Sequence, residues 1–224
     1  MTKGAGMTDG TALIVGVGPG LGLALARAFA AEGHQVALFG RDIERLTALS
    51  AEVTTPDGTA RAYQVDVADA DALQAALRSA AHDLGAPSVL VYNAAQLVQD
   101  TPTGLDAEQL ARTFAVNVTG AVVAARTVLP LLDGGRGTLL FTGGSLAVRP
   151  SPLYTSLSLG KAALRAYVQA LHEEQQGGEV QVTTVTIDGQ IGGGDPRLAP
   201  EAVAGAFVDV HRRPREEWEA ELRY

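Results

Sequence analysis

The alternation of short apolar runs with longer helical segments is the feature of this sequence that most limits its fold. Each of the first five apolar runs is followed by a segment that is too long for a hairpin and is patterned as a helix. Parallel strands require crossovers of this length, whereas antiparallel neighbours are joined by short turns. The alternation therefore predicts an α/β fold in which a doubly wound parallel sheet carries helices on both faces. The expected strands are residues 12–15, 36–39, 60–67, 89–92, 137–142 and 180–187.

Capping residues indicate where the intervening helices begin. Asp42 and Asp69 precede helical segments and are expected to be N-caps, because a carboxylate there accepts a hydrogen bond from the first turn. Ser151 and Pro152 are expected to open the last of the long helices. A short alternating segment, residues 218–224, is interpreted as a final edge strand. The expected helices are residues 21–31, 42–52, 70–84, 106–132 and 151–176.

Size and charge exclude several classes of function. The 224 residues suit one domain, placed here at residues 11–224 after a disordered lead at residues 1–10. The formal net charge of -8 argues against a nucleic-acid partner, because surfaces that follow a phosphate backbone are normally basic. The sequence has no cysteine, and its four histidines show no metal-ligand spacing, so no metal site is expected.

The location of the protein is inferred from its apolar segments. No uninterrupted apolar run reaches the roughly 18 residues of a membrane span, so no membrane partner is expected. Residues 1–10 lack the apolar stretch of a secretory signal. The expectation is a cytoplasmic protein.

A glycine-rich loop follows the first expected strand and leads directly into the first helix. It reads Gly-Val-Gly-Pro-Gly-Leu-Gly over residues 16–22. Strand, glycine loop and helix in this order form the context of dinucleotide binding in the Rossmann fold, where glycine lets the backbone approach the pyrophosphate and the helix start supplies N–H groups. The residues expected to contact the cofactor here are Gly16, Gly18, Gly20, Leu21 and Gly22.

The glycine spacing and four later segments resemble those of the short-chain dehydrogenase/reductase family. The segments are Asp66-Val67, Asn93-Ala94-Ala95, Asn117-Val118-Thr119-Gly120 and Gly160-Lys161-Ala162-Ala163. The resemblance implies an oxidoreductase that acts on a small-molecule substrate with a nicotinamide cofactor. It implies that Asp66 and Val67 lie at the adenine, and that Asn93 and Ala94 also contact the cofactor.

The resemblance also assigns residues at the nicotinamide end. It implies that Lys161 holds the nicotinamide ribose and that Asn117 corresponds to the catalytic asparagine of the family. A packing or helix-kink role for Asn117 is the alternative interpretation. Gly189 and Ile191 follow the sixth strand, where the family usually has Pro-Gly, and they are expected to contact the cofactor.

The end of the second strand indicates which cofactor is preferred. A carboxylate there would hydrogen-bond the adenosine ribose of NAD and repel a 2′-phosphate. This chain has Gly40 and Arg41 at that point, and Asp42 is interpreted as the helix cap. A guanidinium group pairs with phosphate through two parallel hydrogen bonds. NADP(H) is therefore the expected cofactor, in preference to NAD(H).

The proton-handling residues of the family are missing. Its general acid is the tyrosine of a Tyr-x-x-x-Lys pattern, and a serine thirteen residues earlier binds the substrate oxygen. This chain has Leu157 four residues before Lys161, and Gly144 thirteen residues before Leu157. Ser145 and Tyr154 are the candidate substitutes, although neither restores the pair. Tyr154 is expected about two turns from Lys161 on nearly the same helix face, and a role in packing the helix start is the alternative.

Two functions remain open on these residues. One is an atypical NADP(H)-dependent reductase of a small carbonyl or alcohol, and the other is a catalytically degenerate NADP(H)-binding sensor or scaffold. The family resemblance implies a homodimer or homotetramer in which the helices at 106–132 and 152–176 pack against their symmetry mates. The apolar content of residues 121–132 agrees with burial on more than one side.

Overall fold

Seven strands form one parallel sheet. In the computed structural model, which describes residues 10–55 and 58–224, the strand order is β3-β2-β1-β4-β5-β6-β7 and every neighbouring pair is parallel. The predicted fold class is confirmed. The expected disordered lead lies outside the described residues, except for Gly10. The strands are β1 Thr11–Val15, β2 Gln35–Gly40, β3 Ala60–Gln64, β4 Pro87–Tyr92, β5 Gly137–Gly144, β6 Val180–Ile187 and β7 Glu221–Arg223.

Helices cover both faces of this sheet. The helices are α1 Leu21–Ala31, α2 Ile43–Val53, α3 Ala70–Leu84, α4 Ala107–Phe114, α5 Gly120–Val128, α6 Thr155–Gln175 and α7 Pro200–His211. On one face α1, α2 and α7 bury side chains such as Phe29, Leu46 and Phe207. On the other face α3, α5 and α6 bury side chains such as Leu73 and Val168. Because β1 and β4 are covered on both sides, their sequences are continuous apolar runs rather than alternating ones.

The strand order changes direction between β1 and β4. The chain adds β2 and β3 on one side of β1, and then crosses over to add β4 through β7 on the other side. In open parallel sheets of this kind, ligands bind in the crevice at the carboxyl ends of the strands where the order reverses. The fold thus places the glycine loop after β1 and the residues after β4 at one crevice.

The third strand is shorter than predicted. The expectation was residues 60–67, whereas β3 ends at Gln64, which pairs with Gly40. The last ladder bond runs from the Val65 N–H to the Gly40 carbonyl, at 2.8 Å. Because β2 ends at Gly40, the next two residues, Asp66 and Val67, have no partner strand and turn toward the crevice.

The helix predicted at 106–132 is interrupted twice. Asp106 caps α4, and its carboxylate accepts a hydrogen bond from the Gln109 N–H at 2.8 Å. A π-helical segment, Ala115–Thr119, separates α4 from α5, and a 3₁₀ turn, Leu129–Leu131, follows α5. Pro130 lies in that turn and has no N–H to continue an α-helix.

The last long helix begins four residues later than predicted. The expected start was Ser151, whereas α6 begins at Thr155 with Tyr154 at the N-cap. A residue distant in sequence sets this start: Asp100 Oδ1 accepts a hydrogen bond from the Ser156 N–H at 3.0 Å. A carboxylate at this position satisfies an amide that has no acceptor inside the helix.

The C-terminal residues complete the sheet. The interpretation of 218–224 as an edge strand is confirmed, with bounds Glu221–Arg223, because β7 pairs with β6 at the edge of the sheet. Helix α7, which the sequence analysis did not assign, packs on α1 and contributes Phe207 to the core.

The stretch Ala107–Leu131 would be able to cross a membrane by length and composition alone, with a mean hydropathy of 1.5. The expectation that no segment spans a membrane was based on uninterrupted apolar runs, and this stretch is interrupted by polar residues. In this fold the second half of the stretch packs on the sheet, where Ala121, Ala124 and Val128 are fully buried.

Candidate active site

Two glycines of the loop after β1 are required by packing. Gly16 has a φ of +92°, and a Cβ there would lie 2.4 Å from the backbone nitrogen of Ala94. A Cβ on Gly22 would lie 2.7 Å from the Cα of Val17. Any larger residue at either position would force the loop away from β4 or open its turn.

Gly18 and Gly20 differ, because a Cβ on either would meet no atom within 4 Å. Packing among the described residues therefore does not require glycine at these positions. Leu21 and Gly22 follow as the first residues of α1, where amide groups have no acceptor within the helix. An open backbone surface next to a helix start fits the pyrophosphate of a dinucleotide.

A cleft of about 770 Å³ opens beside this loop. Seven of the residues expected to bind the cofactor line it: Gly16, Gly18, Arg41, Asp66, Val67, Asn93 and Ala94. Gly20, Leu21 and Gly22 belong to the start of α1 and, in the described part of the chain, are not among the lining residues. The cleft therefore joins the ends of β1, β2 and β4 with the turn that follows β3.

Arg41 and Arg45 both line the cleft after β2. The prediction that Asp42 caps α2 is confirmed: its Oδ1 accepts the Arg45 N–H at 3.0 Å, and its Oδ2 lies 3.3 Å from Arg45 Nη2. Within residues 10–55 and 58–224, Arg41 makes no ion pair, and its side chain is exposed. This end of the cleft thus offers a guanidinium group, while its nearest carboxylate is engaged in its own helix.

Asn93 ties the glycine loop to the centre of the sheet. Its Nδ2 donates to the Gly16 carbonyl at 2.9 Å, and its Oδ1 accepts from the Thr142 hydroxyl at 2.9 Å. Its backbone N–H donates to the Val15 carbonyl at 2.8 Å. These three hydrogen bonds connect the ends of β1, β4 and β5 at the crevice.

A second cavity of about 350 Å³ continues from the cleft, and the two share Asn93 and Ala95. Four more of the expected site residues line this cavity: Ser145, Lys161, Gly189 and Ile191. Leu157 and Gly144, which replace the tyrosine and serine of the family pattern, line it as well. The structure thus brings both ends of the predicted site together in one continuous depression.

Lys161 enters the second cavity from α6. Its Nζ donates a hydrogen bond to the backbone carbonyl of Thr142 at 2.7 Å. Burial lowers the pKa of Lys161 to about 8, because removing water disfavours the charged form of an amine. Leu157, one helical turn earlier, is only 5% exposed and adds to this desolvation.

Gly144 has an extended backbone. Apart from its chain neighbours, the nearest described atom to a Cβ at this position would be the Ile187 carbonyl oxygen, at 4.0 Å. The Cβ of a serine, the residue that the family has at this point, would therefore fit without a shift. Ser145 begins the 3₁₀ turn that follows β5 and lines the cavity one residue later. It is the hydroxyl nearest in sequence to the missing one.

Tyr154 lies outside this arrangement. It occupies the N-cap of α6 with non-helical backbone angles, so the expectation that it lies on a helix face two turns before Lys161 is wrong. Among the described residues, the lining of the cavity does not include it. Its backbone carbonyl accepts the Ser158 hydroxyl at 2.8 Å, a bond within the first turn of α6 that agrees with the alternative role at the helix start.

Asn117 lies in the π-helical segment and is almost fully buried. Its Oδ1 accepts the Gln96 N–H at 2.6 Å, and its Nδ2 donates to the Gln96 carbonyl at 3.1 Å. A Cβ on Gly160 would lie 3.0 Å from the Asn117 Cβ, so Asn117 packs directly beside the turn that carries Lys161. These contacts support the packing interpretation, in which Asn117 positions the segment after β4 against α6.

Two polar residues of the site were missed from the sequence. Arg45 lies in the first turn of α2, three residues after the Asp42 cap and near the end of β2, and that position was its signal. Gln190 lies between Gly189 and Ile191 in the lining of the second cavity, and its only signal was that position.

A parallel sheet with this strand order, a glycine loop at its reversal and a continuous cleft defines a dinucleotide-binding α/β protein. A family model described as short chain dehydrogenase matches residues 10–189. The chain belongs to the short chain dehydrogenase family.

Individual proteins are similar to this chain in sequence or in structure. A short chain dehydrogenase of Pseudocercospora fijiensis is 30% identical over 171 residues, and the match covers 75% of this chain and 55% of that protein. This chain thus corresponds to about half the length of that relative. A short-chain dehydrogenase structure from Rhodopseudomonas palustris has a TM-score of 0.87 with 25% identity, covering 96% of this chain and 98% of the other.

A third relative resembles the chain in fold. It is the NADPH-bound structure of a short chain oxidoreductase from Pseudomonas aeruginosa that contains an atypical catalytic center. Its TM-score is 0.86 at 22% identity, and the superposition covers 96% of this chain and 95% of the other.

Proposed function

We propose that the chain is an NADP(H)-dependent oxidoreductase that acts on a small carbonyl or alcohol substrate. The observation that carries this proposal is the continuity of the two cavities, which share Asn93 and Ala95 and extend from Arg41 to Lys161. A dinucleotide in the larger cleft would present its nicotinamide end to the smaller one. A cavity of about 350 Å³ suits a small substrate, at the lower end of the usual range of ligand sites.

The preference for NADP(H) is supported by charge at the far end of the cleft. Arg41 and Arg45 both line it, and the Asp42 carboxylate is engaged by the backbone and side chain of Arg45. A 2′-phosphate gains charge-assisted hydrogen bonds from such a site. The Pseudomonas aeruginosa relative, which has the same fold, was solved with NADPH bound.

When bound, the cofactor supplies or accepts the hydride of the reaction. The residues of the chain bind and orient it: the loop at Gly18 and Gly20 receives the pyrophosphate, and the Lys161 ammonium hydrogen-bonds the nicotinamide ribose. Leu157 and Ile191 supply apolar walls that exclude water from the smaller cavity. Ser145 offers a hydroxyl to the substrate oxygen.

The experiment has two stages that separate binding from chemistry. Fluorescence titration of the purified protein with NADPH tests the cleft, and consumption of NADPH across a panel of aldehydes and ketones tests the cavity. We expect NADPH to bind and a subset of small carbonyls to be reduced. Failure to bind any nicotinamide nucleotide would overturn the proposal.

A second candidate is a catalytically degenerate NADP(H)-binding sensor or scaffold. The observation that favours it is that a buried leucine and a glycine occupy the positions of the two proton-handling residues of the family. NADPH binding with no reduction or oxidation of any substrate in the panel is the outcome that this candidate predicts.

We also propose a symmetric oligomer that packs through α5 and α6. A groove of about 800 Å³ lies between α5 and α6, and its lining includes Val122, Leu129 and Tyr167. Half-buried apolar side chains on two adjacent helices are suited to packing against a second copy of the same pair.

A further inference from the structure

We propose that Lys161 is itself the general acid–base of the reaction, so that its ammonium group protonates the substrate oxygen directly. The inference rests on the proposed function, because it assigns a role within the same site. It differs from a binding role for Lys161, in which the ammonium would only hold the ribose.

The composition of the smaller cavity carries the argument. Among the described residues that line it, Lys161 has the only ionisable side chain. The remaining polar side chains are those of Asn93, Thr142, Ser145 and Gln190. Amides do not transfer protons in the neutral range, so the choice lies between the lysine and two hydroxyl groups.

Neither hydroxyl group is equipped to act as the acid. The Thr142 hydroxyl donates its proton to Asn93 Oδ1 at 2.9 Å, which commits it to the structure of the crevice. The hydrogen bond of Lys161 goes to the Thr142 carbonyl and not to the Ser145 hydroxyl, and an unassisted hydroxyl is too weak an acid to donate near neutral pH.

The ammonium of Lys161 is available for transfer. One of its three N–H groups bonds to the Thr142 carbonyl at 2.7 Å, and the described residues provide no carboxylate partner for the others. The apolar side chain of Leu157 stands where a phenol would otherwise lie between lysine and substrate. Burial lowers the pKa of Lys161 to about 8, close to the pH at which proton transfer is most effective.

Charged groups on the surrounding elements do not compete for this role. On the next turn of α6, Arg165 pairs with Glu221 of β7. After β5, Arg149 pairs with Asp188 at the end of β6. In the segment after β4, the Asp100 carboxylate accepts the Ser156 N–H. None of these five side chains lines the cavity in the described part of the chain.

The proton and electron pair balance in the reducing direction. The carbonyl carbon accepts a hydride with its electron pair from the reduced nicotinamide cofactor, and the π pair of the C=O bond moves to oxygen. That oxygen takes a proton from Lys161 Nζ, so an alcohol, the oxidised cofactor and a neutral amine result. Water then returns a proton to the amine, and the reverse reaction uses the neutral amine as base.

The first test is spectroscopic and requires no cofactor. The chain has only two lysines, Lys3 and Lys161, so labelling with ¹³Cε-lysine gives two signals, and Lys161→Arg assigns them. We expect the Lys161 signal to titrate near pH 8, about two units below an ordinary lysine. A midpoint at the ordinary value of about 10.4 would overturn the proposal.

The second test separates proton transfer from binding. Arginine keeps the positive charge but does not release its proton, so Lys161→Arg should lose about 10²-fold or more in kcat measured at saturating NADPH, whatever its effect on NADPH affinity. For wild type, kcat for reduction should fall as pH rises through 8. If the Lys161→Arg variant retained turnover, or the profile were flat, the lysine would not be the acid.

Chemical rescue covers the case in which arginine does not fit. In Lys161→Ala, added primary amines should restore turnover with a rate that depends on the pKa of the amine, a dependence that a purely structural role would not give. If the rate of rescue did not depend on the pKa of the added amine, the proposal would be overturned. If NADPH failed to bind wild type at all, the proposed function would fail instead, which keeps the two failures distinct.

Discussion

Leu157 lies four residues before Lys161 on α6, and both side chains line the same cavity. Residues at this spacing share one face of a helix. In the family pattern a phenol occupies the first position and the lysine supports it. Here an apolar side chain occupies that position, so the half-buried lysine faces the cavity without an intervening phenol.

The burial of Lys161 predicts how stability changes in alkaline solution. Its pKa is about 8 in the folded protein and about 10.5 when unfolded, so the unfolded chain binds more protons between these values. The free energy of unfolding should therefore rise as pH increases from 8 to 10.5, by at most about 3 kcal/mol. Urea unfolding across this range measures it.

The comparison for that prediction is Lys161→Met, which keeps an unbranched apolar side chain. The free energy of unfolding of this variant should not rise between pH 8 and pH 10.5. The difference in unfolding free energy between the variant and wild type should therefore become smaller as the pH increases. Parallel curves for the two proteins would show that the lysine is not desolvated in the folded state.

Two histidines that are far apart in sequence predict a loss of stability in acid. His34 and His211 face each other with ring centroids 5.5 Å apart, and His211 Nδ1 lies 2.9 Å from the Thr138 hydroxyl oxygen. Burial, followed by repulsion from His34, lowers the pKa of His211 to about 4. The unfolded histidine binds its proton first, so stability should fall as pH drops from 6.5 to 4.

His211→Gln isolates this effect, since glutamine stays neutral. It should remove up to about 3 kcal/mol of the acid-dependent loss, measured as the shift of unfolding free energy between pH 7 and pH 4.5. The matched control is His82→Gln, at an exposed position on α3, which should keep the wild-type response. Equal acid sensitivity in all three proteins would contradict the assignment.

The parts of the fold that local pattern determines were predictable, and those that distant contacts determine were not. The start of α2 at Asp42 follows from a cap within the same segment. The start of α6 does not, because its capping carboxylate comes from Asp100, which is 56 residues earlier. Likewise β3 ends where its partner β2 ends, and no residue of β3 itself signals that point.

The same distinction applies to the site. The glycine loop and Lys161 were recognisable because their spacing is local. Outside the site, the contact between His34 and His211 joins residues 177 positions apart, so the sequence showed only scattered histidines. The two hydrogen bonds from the Asn117 side chain to the Gln96 backbone could not be predicted either, because Gln96 lies in a loop 21 residues away.

Arg41 predicts the cofactor preference. Replacing it with alanine removes a guanidinium group from the cleft, so Arg41→Ala should weaken NADPH binding about 10- to 100-fold, in line with the loss of a charge-assisted hydrogen bond, and leave NADH binding nearly unchanged. Arg78→Ala, on the exposed side of α3 and away from the cleft lining, is the control. If NADPH and NADH bound with equal affinity and Arg41→Ala changed neither affinity, Arg41 would not determine the cofactor preference.

The groove between α5 and α6 predicts a homodimer or homotetramer. Tyr167 and Leu129 line it, as does Glu174. Tyr167→Glu removes an aromatic surface and adds a second carboxylate near Glu174, so it should shift the protein toward monomer. Light scattering at micromolar concentration measures the mass of both proteins. A wild-type monomer would contradict the prediction.

The missing tyrosine and serine of the family pattern give the last prediction. Leu157→Tyr would place a phenol on the same helix face as Lys161, and Gly144→Ser would add a donor where a Cβ meets nothing closer than 4.0 Å. The double variant should reduce generic carbonyls at least tenfold faster than wild type, the scale on which an added general acid acts. The matched control is Leu157→Phe with Gly144→Ala, which supplies the bulk without either hydroxyl. A gain in the control would attribute the effect to cavity shape, whereas a double variant that binds NADPH and stays inert would favour the sensor or scaffold.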